Sequence, residues 1–332
     1  MASDRAGTAD QAIGSAKGNE RSAFKTFLGV LLAVGAITLG SVLLYRTLSA
    51  YRWQEIVDAV RSIPSIRIGA GILFAAASYF CLTCFDWLAL RYVGHRLSYP
   101  RAALTSFTSL SIGHNVGLAA LSSGAIRYRF YSRWGLGVAD VAKLIVFCGM
   151  TVGLGLTTVA GVASLIAPQS GAQLTGLSEP VFLLIGAALT AIPFVYLALA
   201  ATITKPLGIY KWTVEMPSFR LAASQIAVGS INYLCVAACL YQMVAATNDI
   251  GYFKVASAYI IANATAIVSH VPGGVGIIET VLSYLLPGVP LIGVLVMFRA
   301  VYYLLPLCIG LPLFGLSELF LRRDKLGRAG TG

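Results

Sequence analysis

The chain has 332 residues, of which 58% are hydrophobic and only 11% are charged. A soluble domain carries about 25% charged residues, and several runs here exceed the roughly 18 apolar residues that mark a spanning helix. The composition therefore excludes a soluble globular protein. The net charge of +11 does not indicate nucleic acid, because the basic residues lie between apolar runs, where they set topology and meet anionic headgroups.

In chain order, the apolar runs predict an all-α polytopic membrane protein. Residues 1–22 are polar and predict a disordered cytoplasmic tail, residues 23–322 an integral membrane domain, and residues 323–332 a basic cytoplasmic tail. Full spans are expected at about 24–45, 67–93, 138–167, 180–203, 219–247 and 290–320. An amphipathic segment at 51–63 is expected to lie in the membrane interface. Two further runs, 102–126 and 253–287, are interrupted by polar residues and glycines.

A shift of about 152 residues brings the second half of the chain onto the first. The repeat halves are about 67–167 and 219–320, and each contains one interrupted run. Locally, Gly124-Ala-Ile-Arg127 falls on Gly276-Ile-Ile-Glu279. Few identities support the match, so the spacing of the elements is the stronger indication of a repeat.

The distribution of Lys and Arg predicts the orientation of each span. The linkers 168–179 and 287–290 contain neither residue, which indicates the outside, whereas 127–133 and 322–328 are basic, which indicates the cytoplasm. These assignments agree only if each interrupted run enters and leaves on one side. The expected fold therefore has about six full spans and two re-entrant helical hairpins in an inverted repeat, with both termini cytoplasmic. Such repeats are typical of transporters with a midplane site.

The second interrupted run contains the stretch SHVPGGVGIIET, residues 269–280. Its Pro-Gly-Gly sequence breaks a helix, and IIETVLSYLL after it predicts a short helix with Glu279 in its first turns. A broken backbone survives at membrane depth only inside protein or beside water. The first run has a matching layout, with Gly113-His114-Asn115 followed by Arg127. A kinked helix packed through small residues explains the glycines; an ionisable residue in both halves favours a polar cavity.

Nine residues are candidates for contact with a substrate in this cavity. They are Asp86, His114, Arg127, Arg129, His270, Gly273, Gly274, Glu279 and Arg299. Asp86 either pairs with Arg127 or Arg129 or lies at the headgroup level. Arg299 lies deep in the last span and needs a partner, for which Glu279 is the natural candidate, as a structural pair or as part of the site. No metal or cofactor is expected, because the three histidines are widely separated and no nucleotide motif is present.

Three stretches carry a resemblance to a known family. They are FDWLALRYVGHRLSY (85–99), SSGAIRYRFYSRWGLGVADVAKLIVFCGM (122–150) and HVPGGVGIIE (270–279). They resemble the membrane domain of bacterial lysylphosphatidylglycerol synthases, the multiple peptide resistance factors, and the related stand-alone inner-membrane proteins. The resemblance covers roughly residues 24–322.

In two-part members of that family the membrane domain is described as a flippase for aminoacylated phosphatidylglycerol, and a soluble C-terminal domain makes the lipid. The resemblance implies a multi-pass protein of the bacterial cytoplasmic (inner) membrane. It gives functional weight to Asp86, Arg127 and Glu279, with Arg129 from the same motif. The sequence stops at Gly332 with no aminoacyl-transferase domain, so synthase activity, and enzyme activity generally, is not expected.

We therefore expect a lipid flippase-like protein that translocates anionic, zwitterionic or aminoacylated phospholipid headgroups through a polar midplane cavity. Arg127 and Arg129 would engage phosphate, since Arg does so bidentately, and Glu279, with Asp86, would meet a cationic group or accept a proton. The alternatives are a membrane scaffold or regulatory subunit for a separately encoded lipid-modifying enzyme, and an enzyme acting on lipid-linked substrates. Expected partners are phospholipid, a separate lipid synthase and a second copy of the chain.

Overall fold

The computed structural model describes residues 54, 57, 58 and 61–329, with short gaps in the last range. The gaps are 117–118, 167, 170–171, 173–175, 204–206, 210–211, 270–273 and 275. The expected N-terminal tail, the first expected span and most of the interfacial segment lie outside the described residues. Two candidate site residues, His270 and Gly273, lie outside them as well.

Helices make up almost all of the described chain. They are α1 (Ser65–Tyr92), α2 (Tyr99–Val116), α3 (Ala119–Tyr131), α4 (Val138–Ile166), α5 (Glu179–Thr202), α6 (Phe219–Val244), α7 (Tyr252–Ser269), α8 (Ile277–Leu285), α9 (Leu291–Arg299) and α10 (Leu305–Ala329). A short 3-10 turn, Ser132–Trp134, follows α3, and a π-helical turn, Ala300–Leu304, joins α9 to α10. The last helix continues to Ala329, through most of the segment expected as a basic tail.

Five stretches in the described residues are long and apolar enough to cross a membrane. They are α1, α4, α5, α6 and the continuous run Leu291–Glu318. Helices of 24 to 29 residues rise by about 1.5 Å per residue, which exceeds a hydrocarbon core of about 30 Å. Five of the expected spans therefore have counterparts. One element was missed: strands β1 (Leu207–Ile209) and β2 (Trp212–Val214) form an antiparallel pair between α5 and α6.

The helices α1 and α6, which begin the two expected repeat halves, run in opposite directions. Near one end, Arg67 Nη1 donates to Gln242 Oε1 at 3.0 Å. Midway along both helices, Ser78 Oγ donates to Asn232 Oδ1 at 2.7 Å. Ser78 and Asn232 are 154 residues apart, close to the shift that relates the halves.

The other helices of each half form a hairpin, and the two hairpins enter the bundle from opposite ends. The first hairpin is α2–α3: the Arg101 guanidinium at its start lies 5.6 Å from the Trp134 ring just after its end. The second hairpin is α7–α8: Asn248 Nδ2 before it donates to the Gly288 carbonyl after it at 3.4 Å. The first follows the end of α1 and the second follows the end of α6. Since α1 and α6 are antiparallel, these are opposite ends of the bundle.

The chain breaks differently in the two hairpins. In the second hairpin, α7 ends at Ser269 and α8 begins at Ile277, so the expected break and short helix are confirmed. Gly276 has a φ of +84°, a conformation that only glycine adopts easily. In the first hairpin, His114 and Asn115 belong to the last turn of α2, and the helices are separated only by residues 117–118. The interruption therefore lies a few residues later in the chain, closer to Arg127, than the sequence indicated.

A seam of hydroxyl groups runs along α2 inside the bundle. Its fully buried members are Thr105, Ser106, Thr108, Ser109 and Ser111. Ser106 Oγ donates to the Leu82 carbonyl of α1 at 2.8 Å, while Thr108 Oγ1 donates within its own helix to the Leu104 carbonyl at 2.6 Å. Small hydroxyl side chains donate hydrogen bonds to helix carbonyls, and their small size lets neighbouring helices approach closely. The seam therefore fixes α2 firmly between its neighbours.

Candidate functional site

The inner end of the first hairpin meets the π-helical turn, and the inner end of the second meets Arg299, the residue just before that turn. From the first hairpin, Asn115 Nδ2 donates to the Tyr303 carbonyl at 3.2 Å, and the His114 ring centre lies 6.4 Å from that of Tyr303. From the second hairpin, Glu279 Oε1 accepts from Arg299 Nε at 2.8 Å. The Arg299 guanidinium carbon lies 5.8 Å from the Tyr303 ring centre. These five residues are called the hairpin junction below.

The π-helical turn also joins the junction to the crossing of α1 and α6. Tyr302 is buried, and its hydroxyl lies 2.9 Å from Ser78 Oγ, the residue that bonds Asn232. The Tyr79 hydroxyl donates to the Tyr302 carbonyl at 3.4 Å. Single π-helical turns inside α-helices are frequent at functional sites, because they shift side chains and carbonyls out of the α-helical register. Here the shifted turn lies where both halves of the chain meet.

The Glu279–Arg299 ion pair is the charged part of the junction, and its formation confirms the expected pairing. The side chains are 19% and 14% exposed, respectively. Glu279 Oε2 also accepts the Gly276 backbone N–H at 2.8 Å, so one carboxylate caps α8 and neutralises Arg299. Within the described residues, Arg299 Nη1 makes no hydrogen bond. The guanidinium therefore retains free donors beside a partly exposed carboxylate.

His114 contributes an unsatisfied polar atom to the junction. Its Nδ1 is buried and has no hydrogen-bond partner within the part of the chain that the structure describes. The ring lies edge-on to both Tyr79 and Tyr303. Buried polar side-chain atoms are hydrogen-bonded in the large majority of cases. The imidazole and the Arg299 guanidinium both lie near the Tyr303 ring, and a polar ligand there would complete the bonding of the unpaired nitrogen.

Asp86 and Arg127 form a second ion pair, and it is almost completely buried. The side chains are 0% and 4% exposed. Arg127 Nη2 donates to Asp86 Oδ1 at 2.7 Å, and Nε donates to both carboxylate oxygens. The Tyr131 hydroxyl donates to Oδ2 at 2.8 Å, and Arg127 Nη1 donates to Ser123 Oγ at 3.1 Å. Asp86 therefore pairs with Arg127, and not with Arg129, among the alternatives that the sequence left open.

This pairing bears on the expectation that Arg127 engages a headgroup phosphate. All three guanidinium nitrogens of Arg127 donate to Asp86 or Ser123, and the group is directed into the protein core. A carboxylate removed from water requires a cation and hydrogen-bond donors, and Arg127 supplies them. In this conformation Arg127 joins the first hairpin to α1, and a direct role in headgroup binding stays a prediction.

Two other candidate residues, Gly274 and Arg129, do not belong to the hairpin junction. Gly274 is buried, and a side chain there would overlap Ala266 and Ile278, so this glycine permits close packing at the break. Arg129 pairs with Glu318 of α10 through Nη2 and Oε2 at 2.7 Å. Among the described residues, no group of three His, Cys, Asp or Glu side chains is placed to hold a metal ion.

Sequence reasoning missed two parts of the site. The π-helical turn has no local signal in its sequence. The pairing of Arg133 with Glu318, through Nη2 and Oε1 at 2.7 Å, was also missed. The four-residue spacing of Arg129 and Arg133 was an available signal, because it puts both on one side of a helical segment.

Five membrane-length apolar helices among the described residues, with two hairpins that follow the ends of the antiparallel helices α1 and α6, indicate a helical membrane protein. No family model matches the chain. The chain is 30% identical over 309 residues to the uncharacterized protein slr0712 of Synechocystis sp., which covers 91% of this chain and 93% of that protein. It therefore belongs to the family of this cyanobacterial protein. It is also 25% identical over 273 residues to the inner membrane protein YbhN of Escherichia coli, covering 80% and 85%, respectively.

Proposed function

We propose that this protein moves phospholipid headgroups across the bacterial inner membrane, in the manner of a lipid flippase, through the hairpin junction. The observation that carries the proposal is the convergence of two hairpins, from opposite ends, on the segment from Arg299 through the π-helical turn, where a partly exposed ion pair lies. In this proposal the hairpins are re-entrant, both termini are cytoplasmic, and the junction lies near the bilayer midplane. The family of lysylphosphatidylglycerol synthases remains the resemblance that suggests lipid as the cargo.

The physical basis is that interrupted helices need a polar environment. In hydrocarbon, each unsatisfied backbone group costs several kcal/mol, so helix ends inside a membrane must face protein or water. The end of α7 and the start of α8 are such ends. Only the headgroup of a lipid needs a polar path, since its acyl chains remain in the bilayer. If the two halves of the chain run in opposite directions, the junction faces the two leaflets in a similar way. That symmetry supports alternating access.

The Glu279–Arg299 pair favours a headgroup that carries charges of both signs. Such a headgroup offers a phosphate to Arg299 and an ammonium group to Glu279, so neither side chain is left without a counter-charge in a low-dielectric region. A purely anionic headgroup would displace Glu279 and leave the carboxylate unpaired. The proposed cargo is therefore zwitterionic or aminoacylated. The unpaired His114 nitrogen is available for a further hydrogen bond to the headgroup.

The Asp86–Arg127 pair has a positioning role in this proposal. It fixes α3 against α1, and thereby holds the first hairpin so that His114 and Asn115 reach the π-helical turn. No chemical step is assigned to the chain.

Reconstitution tests the proposal. Purified protein is placed in liposomes that contain fluorescent phosphatidylethanolamine, lysylphosphatidylglycerol or phosphatidylglycerol. A membrane-impermeant reagent quenches probe in the outer leaflet, so the rate of quenching measures how fast probe moves there from the inner leaflet. We expect faster exchange for the first two lipids, and a loss of at least ten-fold in Glu279→Gln and Arg299→Gln. Glu179→Gln is the matched control, because Glu179 is exposed at the start of α5.

Absence of exchange for every headgroup, or unchanged exchange in Glu279→Gln, would refute the proposal. If exchange is absent and a lipid synthase co-purifies with the chain, the scaffold alternative gains support. A change in lipid composition produced by the purified chain alone would instead favour the enzyme.

A further inference from the structure

A second charged cluster lies at the end of the bundle where the first hairpin begins and ends. Glu318 of α10 accepts hydrogen bonds from two arginines. Arg129 Nε and Nη2 donate to its two oxygens at 2.8 and 2.7 Å, and Arg133 Nη2 donates to both oxygens at 2.7 and 2.8 Å. These three residues are called the Glu318 clamp. Two guanidinium groups share one carboxylate, so the clamp has one surplus positive charge.

The clamp is incompletely satisfied by the described protein groups. Arg133 Nη1 is buried and has no hydrogen-bond partner in the described chain. The side chains of Arg129, Arg133 and Glu318 are only 30%, 20% and 15% exposed, so bulk water does not surround them. A buried cationic donor without an acceptor is costly. The described residues therefore leave this donor available to an anion or another acceptor from outside the chain.

The surroundings favour an acceptor that has an apolar part. Phe130 stacks on Trp134 with ring centres 6.0 Å apart, and it also meets Phe314 edge-on at 5.9 Å. The exposed Arg101 guanidinium lies 5.6 Å from the Trp134 ring, which adds positive charge. Tryptophan and arginine beside apolar helix ends are typical of the headgroup level of a bilayer. Arginine recognises phosphate through paired N–H donors.

We propose that the Glu318 clamp binds the phosphate of an anionic phospholipid as a resident ligand, with Arg133 as the main contact. The phosphate neutralises the surplus charge and accepts from Nη1 of Arg133, while the lipid chains lie against the partly exposed side chains of Trp134 and Phe314. The bound lipid joins α3 to α10 and so stabilises the seat of the first hairpin. This site is separate from the hairpin junction and does not depend on lipid transport.

A single-tryptophan variant provides the test. The chain has four tryptophans, and replacing Trp53, Trp87 and Trp212 with phenylalanine leaves Trp134 as the reporter. The protein is placed in phosphatidylcholine nanodiscs with increasing fractions of brominated phosphatidylglycerol, or of brominated phosphatidylcholine. We expect stronger quenching of Trp134 by phosphatidylglycerol at equal fractions. Loss of a charge-assisted hydrogen bond in Arg133→Gln should weaken this binding about ten-fold.

Two further variants separate ligand binding from folding and from bulk charge. Glu318→Gln frees both guanidinium groups, so a ligand site predicts tighter phosphatidylglycerol binding, whereas a merely structural clamp predicts no gain. Arg96→Gln removes the same charge from an exposed position in the α1–α2 loop and should leave quenching unchanged. If Arg133→Gln does not fold, the gain in Glu318→Gln decides the outcome.

The source of the phosphate is tested by adding inorganic phosphate to the protein in an uncharged detergent. A lipid site predicts that millimolar phosphate neither alters Trp134 fluorescence nor displaces phosphatidylglycerol. Displacement by inorganic phosphate would overturn the lipid assignment in favour of a soluble anion. Equal quenching by the two brominated lipids, or tighter binding absent in Glu318→Gln, would overturn the proposal.

Discussion

Replacing Asp86 with asparagine removes the negative charge from the most buried ion pair in the described residues. Arg127 directs three hydrogen bonds at this carboxylate, at 3.2, 3.0 and 2.7 Å, and Tyr131 adds one at 2.8 Å. The asparagine side chain would retain one neutral acceptor oxygen and leave the guanidinium uncompensated at 4% exposure. Removal of one partner from a buried pair costs about 3–5 kcal/mol, so Asp86→Asn should lower the free energy of unfolding by that amount.

A double-mutant cycle with Arg127→Gln isolates the interaction. Because the neutral Asn–Gln pair contains no buried charge, Asp86→Asn/Arg127→Gln should be less destabilised than the sum of the single variants, by about 2–3 kcal/mol. Unfolding is followed by denaturant titration in detergent micelles. The exposed Glu179→Gln change serves as control and should stay within about 0.5 kcal/mol of the parent.

The same double variant separates the two roles considered for Arg127. If Arg127 positions the first hairpin, the folded double variant keeps most of its lipid exchange in liposomes. If Arg127 binds the headgroup directly, exchange is lost although the protein is stable. Additive costs of the two single changes, or a loss below about 1 kcal/mol in Asp86→Asn, would refute the view of a coupled buried pair.

Three further changes test the geometry of the breaks and crossings. Gly276→Ala forces a side chain onto a φ of +84° and should cost about 1–3 kcal/mol, measured by thermal unfolding; no loss would contradict the glycine-dependent break. Asn115→Ala removes the donor to the Tyr303 carbonyl and should cost about 1–3 kcal/mol in the same assay, whereas an unchanged midpoint would show that water replaces it. Gly155→Leu places a side chain on the backbone of Gly229 and should separate α4 from α6, lowering the yield of monodisperse protein; a normal elution profile would contradict this contact.

The sequence predicted the parts of the site that local chemistry controls. A helix cannot continue through Pro-Gly-Gly, so the break before α8 and the place of Glu279 in its first turn follow from neighbouring residues. The pairing of Arg299 with Glu279 was also predictable, because only 20 residues separate them and a deep arginine needs a nearby anion.

The sequence alone determined that this is a helical membrane protein, where most of its spans lie and which hairpin carries a glycine-dependent break. Hydrophobic length and helix-breaking residues act locally, so they can be read without knowing which helices are neighbours. Tertiary structure decided that Asp86 pairs with Arg127 and that Arg133 shares Glu318 with Arg129 across 185 residues of sequence. It also decided that both hairpins meet the segment formed by Arg299 and the π-helical turn. A charge inside a protein pairs with the opposite charge that helix packing brings nearest, and that packing depends on the whole bundle.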